Sequence, residues 1–115
     1  MIGRKHRFHG HHAVSRVKGK VAHTQLLSIR LADSGRKDYR LAVVVSKKVA
    51  PHAVTRNRIR RRVYELFRVR GWLDARPADV VVYVKSDVLA TMQADDLAKT
   101  VGAVYRKVAH DATSH

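Results

Sequence analysis

Residues 46–68 carry the side chains with the clearest chemistry in this chain. Eight of these 23 residues are lysine or arginine, and apolar residues still recur among them at Ile59, Val63 and Phe67. That recurrence indicates a folded helix and argues against a disordered basic tail. Because guanidinium and ammonium groups bind phosphates, the segment predicts a phosphate-bearing partner.

A helical projection of the segment separates an apolar stripe from a cationic one. The apolar stripe contains Ile59, Val63, Leu66 and Phe67. The roughly opposite stripe contains Asn57, Arg61, Tyr64 and Arg68, with Arg60 between the two and Arg58 and Arg62 on the other flank. Only Glu65 balances seven arginines between residues 56 and 70, whereas a merely solvated face would alternate its charges. We therefore favour phosphate binding, with Tyr64 either stacking on a base or shielding the core edge.

Four histidines, His6, His9, His11 and His12, raise the question of a metal or catalytic site. They lie in residues 1–12, which lack apolar periodicity and are predicted to form a flexible arm. A metal site needs ligands on a rigid scaffold, and a two-histidine ribonuclease needs an acid and a base fixed around one phosphate. We expect no protein-bound metal and no catalytic residue, and keep an independent metal nuclease as a competing hypothesis.

Composition narrows the class of protein and of partner. The 115 residues, 45% of them apolar, suit a single domain over residues 1–115. A net charge of +15 opposes compaction, and an anionic partner would relieve that repulsion. Nucleic acid is the leading candidate, and a membrane surface is the weaker one because the chain has no apolar stretch near 18 residues. Without cysteine there is no disulfide or thiolate site, and we expect a cytoplasmic protein with no protein partner.

The elements that position these residues follow from periodicity and turn chemistry. Strands are predicted at residues 25–31, 39–46 and 79–85, the first two as an antiparallel pair around a polar loop. Helices are predicted at residues 13–17, 55–70 and 93–109, the middle one with Thr55 as its N-cap and Gly71 as its C-cap. The expected fold class is α+β, a small mainly antiparallel sheet with helices on one face.

The run Ser46-Lys47-Lys48-Val49, followed at residues 53–61 by Ala-Val-Thr-Arg-Asn-Arg-Ile-Arg-Arg, resembles the signature of the bacterial ribonuclease P protein subunit family. A strand ending in Ser-Lys-Lys before a helix that opens on Arg-Asn-Arg is a specific combination. The resemblance extends from about Arg7 through the last helix. It implies αβββαβα-type order with a left-handed βαβ crossover, replacing the right-handed one expected by general rule.

The same resemblance implies a role in an endoribonuclease that removes the 5′ leader from precursor tRNA. In that family the RNA subunit, with bound Mg²⁺, performs the hydrolysis, and the protein binds no cofactor of its own. The implied partners are the RNA subunit and precursor tRNA. The residues implied to bind the RNA subunit are Arg56, Asn57, Arg58, Arg60, Arg61, Lys47, Lys48, Tyr64 and Arg68.

The family holds the leader between its first helix and the sheet, where aromatic residues are usual. Val14 and Ile29 stand at the matching positions here. Leader binding is therefore expected to depend less on stacking than on charge, supplied by Arg16, Lys18, Lys20 and Arg30. A ribosomal protein or general RNA chaperone is the other hypothesis, and it would bind RNA without preferring a 5′-extended tRNA.

Overall fold

A computed structural model describes residues 19–33, 37–74 and 78–113 of the chain, and the side chains of these residues as far as position 110. The helix predicted at residues 13–17 and the arm at residues 1–12 lie outside these ranges. The strands are β1 (Lys20–His23), β2 (Leu27–Ala32), β3 (Arg40–Val45) and β4 (Asp79–Val84). The helices are α1 (Ala53–Arg70) and α2 (Ala94–Thr113), with a short 3₁₀ helix at Asp87–Ala90.

The four strands form one sheet in the order β1-β2-β4-β3. The pairs β1–β2 and β2–β4 are antiparallel, and β3–β4 is parallel. The prediction that β2 and β3 pair as a hairpin is wrong, because β4 lies between them. Its run Val80, Val81 and Val82 is fully buried, and a strand covered on both faces is suited to the middle of a sheet.

The sheet has two unlike faces because side chains alternate along each strand. We call the side that packs against α1 and α2 the helical face. Its buried strand residues are Ala22, Leu27, Ile29, Leu31, Leu41, Val43, Val45, Val80, Val82 and Val84. We call the other side the far face, where Ala42 and Val81 form a second apolar cluster bordered by Ala32, Val44 and Tyr83. Both described helices therefore cover one face, which confirms the predicted α+β class.

Helix α1 begins two residues before the predicted start. His52 is its N-cap and makes no side-chain cap hydrogen bond, so the assignment of Thr55 as the cap is wrong. Instead, Nη1 of Arg56 donates to the carbonyl oxygens of Ala50 (2.9 Å) and Pro51 (2.8 Å), which ties the helix to the turn before it. The helix ends as predicted at Gly71, whose φ of 63° is left-handed and whose N–H donates to Phe67 O.

Helix α2 presents one apolar stripe to the sheet. The stripe contains Leu97, Val101, Val104, Tyr105 and Val108, and all five are buried. Asp95 and Asp96 lie in the first turn, where carboxylates favour the positive end of the helix dipole. In the described ranges no helix combines the length and apolar character needed to cross a bilayer.

The connection β3–α1–β4 joins two parallel neighbours, as the resemblance implies. The left-handedness of this crossover stays a prediction. Strand β1 was not recognised from its own four residues, of which only Ala22 is buried. Its antiparallel pairing with β2 adds a strand to the edge of the sheet opposite β3.

Candidate nucleic-acid interface

The outward side of α1 carries exposed cations. Asn57, Arg58 and Arg61 are exposed, and Arg60 is half-buried. Arg60 donates from Nη2 to Asn57 Oδ1, which holds both side chains in one orientation. Arg58 and Arg61 make no side-chain hydrogen bond or ion pair within the described ranges. We call the surface formed by Asn57, Arg58, Arg60 and Arg61 the arginine surface.

Lys47 and Lys48 lie in the turn between β3 and α1, and both are exposed. They therefore precede the arginine surface along the chain and add two cations on its amino-terminal side. Tyr64 is half-buried and packs against the main core, so shielding of the core edge accounts for part of its surface.

Two arginines of the basic segment have a structural role that the sequence did not reveal. Arg56 binds the carbonyls before the helix, as described above. Arg62 donates from Nη1 to Leu89 O (2.6 Å) and from Nη2 to Met92 O, so it ties α1 to the 3₁₀ helix. The sequence alone does not show that Arg56 and Arg62 differ in role from Arg58 and Arg61.

Arg68 is paired within its own helix. Its Nε and Nη2 donate to the two carboxylate oxygens of Glu65 at 3.0 and 2.9 Å. The hydrogen bonds from Arg68 are the largest cause of the lowered pKa of the Glu65 carboxyl, which falls to about 2. Arg68 thus presents less net charge to an incoming phosphate than Arg58 or Arg61 does.

The residues predicted to bind a leader are separated by the fold. Ile29 has 0% exposure and lies in the core of the helical face, so its side chain cannot stack on a base. Placing Ile29 in the leader site was therefore wrong. Val14, Arg16 and Lys18 lie outside the described residues. Lys20 and Arg30 occupy opposite faces of the sheet, because Lys20 pairs with Leu31 while Arg30 pairs with Val21.

The far face presents polar and aromatic groups, of which the sequence predicted Arg30 but not Tyr83, Arg40 or Asp79. Tyr83 is half-buried there and lies opposite Ser28. Nε of Arg30 is buried, and no described residue accepts a hydrogen bond from it. Arg40 and Asp79 form a bidentate ion pair at 2.9 and 2.7 Å. Tyr83 could not be assigned to a face from sequence, because β4 is apolar at both alternating positions.

The fold and this surface define a small α+β protein whose helix between two parallel strands carries a cationic face. The chain belongs to the Ribonuclease P family, whose model matches residues 2–109. It is 36% identical over 73 residues to the ribonuclease P protein component of Staphylococcus carnosus (strain TM300). That match covers 64% of this chain and 62% of the relative, so it spans less than two thirds of that protein.

Solved structures with the same fold come from Staphylococcus aureus. Its RNase P protein at 2.0 Å resolution aligns with a TM-score of 0.72 at 23% identity, covering 88% of this chain and 93% of that one. A mutant of that protein described as defective in mRNA degradation activity aligns with a TM-score of 0.74 at 21% identity, covering 90% and 87%. At these identities the structures establish the shared fold.

Proposed function

We propose that this chain is the protein subunit of ribonuclease P. It binds the catalytic RNA subunit and the 5′ leader of precursor tRNA, and so promotes endonucleolytic removal of the leader. The RNA subunit supplies the hydrolytic chemistry with Mg²⁺, and the protein contributes no catalytic residue or cofactor of its own. The complex acts in the cytoplasm.

One observation carries the proposal for the RNA subunit. In a chain of this family, the Arg-Asn-Arg motif opens a helix on which Arg58 and Arg61 are exposed and have no partner among the described residues. Two like charges on one helix face are unfavourable alone, and phosphates remove that cost. Since Asn57 already orients Arg60, less side-chain entropy is lost when a phosphate binds.

The far face of the sheet is a better candidate than the helical face for binding the 5′ leader. The buried side chains of the helical face are covered by α1 and α2, so RNA cannot reach them. On the far face, Arg30 is half-buried and the buried Nε–H of its guanidinium lacks an acceptor among the described residues, so a leader phosphate would pair with the part of this guanidinium that solvent reaches. Tyr83 on the same face offers an aromatic ring to a nucleobase, the role that the family's usual aromatic residues would have and that Val14 and Ile29 cannot fill.

The experiment that tests the function is 5′ processing of a precursor tRNA at low Mg²⁺. Protein alone, a bacterial ribonuclease P RNA alone and their mixture are compared. Stimulated cleavage in the mixture alone, at the mature 5′ end, is the expected result. Cleavage by protein alone would identify a nuclease instead. Tight RNA binding without stimulation would favour the chaperone or ribosomal hypothesis.

Exchanging Arg60 and Arg61 together for glutamine tests the arginine surface. If each residue binds one phosphate, the log–log salt slope of RNA-subunit affinity should become shallower by about 1.4 to 1.8. The control is Lys37→Gln with Lys107→Gln, which removes the same charge from two exposed residues outside this surface. Equal affinities and slopes for the two double variants would refute the assignment.

A further inference from the structure

A groove lies between the carboxyl end of α1 and the outer side of α2. It is lined by Arg70, Trp72, Asp95, Ala98, Lys99 and Arg106. Arg70 is 12 residues beyond Arg58 along α1, about 18 Å at the rise of an α-helix. The helices also separate this groove from the far face. It is therefore a different surface from both sites considered above.

The groove is cationic, and its cations are available. Arg70, Lys99 and Arg106 are all exposed, and Asp95 is the only carboxylate among the described residues that line the groove. In the described parts of the chain, none of the three cations makes an ion pair or a side-chain hydrogen bond. They differ in this respect from Arg56, Arg62 and Arg68, whose guanidinium groups have partners in the fold.

Trp72 gives the groove a rigid apolar wall. Its ring stacks on Tyr105, with centroids 5.3 Å apart and planes 9° apart, and meets Phe67 edge-on at 5.1 Å. The Tyr105 hydroxyl donates to the carbonyl oxygen of Trp72 at 3.1 Å. The indole is therefore held from two sides, while part of it remains exposed toward the groove.

Gly102 brings this wall and Arg106 together. A Cβ at position 102 would lie 3.1 Å from Nη1 of Arg106 and 3.3 Å from Cζ2 of Trp72. Glycine inside a helix is less favourable than alanine. Here it allows both groups to approach the surface of α2, so the guanidinium lies beside the indole.

We propose that this groove, the tryptophan groove, is a second RNA-binding site that holds a single-stranded segment by its phosphodiester backbone. Lys99 and Arg106, separated by about 10 Å along α2, bind separate phosphates, and Arg70 binds from α1. The indole contacts the ribose or base between them, because cations beside an aromatic ring form the usual single-strand surface. The choice of RNA over another polyanion rests on the proposed function.

The chain contains a single tryptophan, so its fluorescence reports on this groove directly. The experiment titrates the full-length protein with a uridine octamer RNA at several salt concentrations. Wild type should show a saturable change in tryptophan emission. Lys99→Gln with Arg106→Gln should weaken the affinity about tenfold at low salt, and the slope should become shallower by about 1.4, or 0.7 for each lost single-strand contact.

Glutamine keeps most of each side-chain stem, so the double variant should fold, and its melting curve checks this. The control, Lys37→Gln with Lys107→Gln, removes equal charge from residues that do not line the groove, and its affinity should stay within threefold of wild type. Equal weakening in both variants, or octamer binding that leaves wild-type emission unchanged, would overturn the proposal.

This test is independent of the processing assay. If the protein stimulates tRNA processing but the groove variant binds the octamer as wild type does, the groove is not an RNA site and the proposed function still holds. A tryptophan response without any stimulation would reject the function and keep the RNA site.

Discussion

The arginines of α1 have different roles. Arg62 and Arg56 donate to backbone carbonyls and hold neighbouring segments in place, while Arg58 and Arg61 stay exposed. Removing a donor from buried carbonyls costs stability, whereas removing an exposed cation costs affinity for an anion. A scan of this helix should therefore measure folding and RNA binding separately.

Glu65→Gln should strengthen RNA binding, because it removes the one acidic residue among the arginines of α1 and frees Arg68. We expect a severalfold gain in affinity and a salt slope steeper by up to about 0.9, if Arg68 acquires one phosphate. RNA titrations at several salt concentrations measure both. Asp96→Asn, which removes an exposed charge from α2, is the control. A gain of the same size in that variant would show a general charge effect.

The ion pair between Glu65 and Arg68 leads to a prediction about how stability depends on pH. The pKa of Glu65 is lowered from 4.5 to about 2 in the folded chain. A lowered pKa stabilises the folded state at pH values above the unfolded pKa, and that contribution is lost as the pH falls from about 4.5 through about 2. Carboxyl titration followed by NMR should give the lowered pKa in wild type and a higher one in Arg68→Gln. A Glu65 pKa near 4.5 in wild type would contradict the pairing.

Ile29→Tyr should destabilise the fold and add no leader binding. The side chain is fully buried between the sheet and the helices, and overpacking a core costs about 1 to 3 kcal/mol. Urea unfolding measures the loss, with Ile29→Val, expected to cost about 0.5 to 1.5 kcal/mol, for comparison. A tyrosine variant of undiminished stability that gained preference for precursor tRNA would restore residue 29 to the leader site.

At the scale of elements, the end of α1 depends on Gly71. Its φ of 63° lies in the left-handed region, and a Cβ there would stand 3.0 Å from Asp74 Oδ2. Gly71→Ala should therefore cost about 1 to 2 kcal/mol in the free energy of unfolding. Gly71→Asn should cost less, since asparagine tolerates this conformation better. Equal denaturation midpoints for wild type and the alanine variant would contradict this account of the helix end.

The elements themselves were largely predictable. The spacing of Leu97, Val101, Val104 and Val108 identified α2, and Gly71 identified the end of α1. Strand pairing was not predictable from local signals, because the polar loop after β2 has hairpin composition while burial of β4 on both faces decides the sheet order. Strand β1 has too little apolar character to be recognised without β2 beside it.

The candidate site was predictable in part. The cationic side of α1 followed from helical periodicity and charge, and Arg58, Arg60 and Arg61 lie there together. The carbonyl contacts of Arg62 depend on residues 27 and 30 positions away, which no local pattern encodes. Ile29 could not be assigned to a face from sequence, because the face that α1 and α2 cover depends on the sheet order.

For the whole molecule, a net charge of +15 on 115 residues makes folding sensitive to salt. The melting temperature of the free protein should rise as ionic strength increases from about 0.01 to 0.15 M, because the Debye length falls from about 30 to 8 Å. Lys37→Gln with Lys107→Gln should reduce this dependence. Calorimetry measures both, and a melting temperature independent of salt would show that self-repulsion is negligible.

The central position of β4 also affects how the chain folds during translation. During translation β1, β2 and β3 leave the ribosome first. Strand β4, which lies between β2 and β3 in the sheet, begins 34 residues after β3 ends. Until residue 84 is available, the nascent chain has unpaired strand edges and exposed apolar side chains, the features that recruit chaperones and proteases. The stretch of synthesis between β3 and β4 is therefore the period in which a new copy of this protein is most vulnerable.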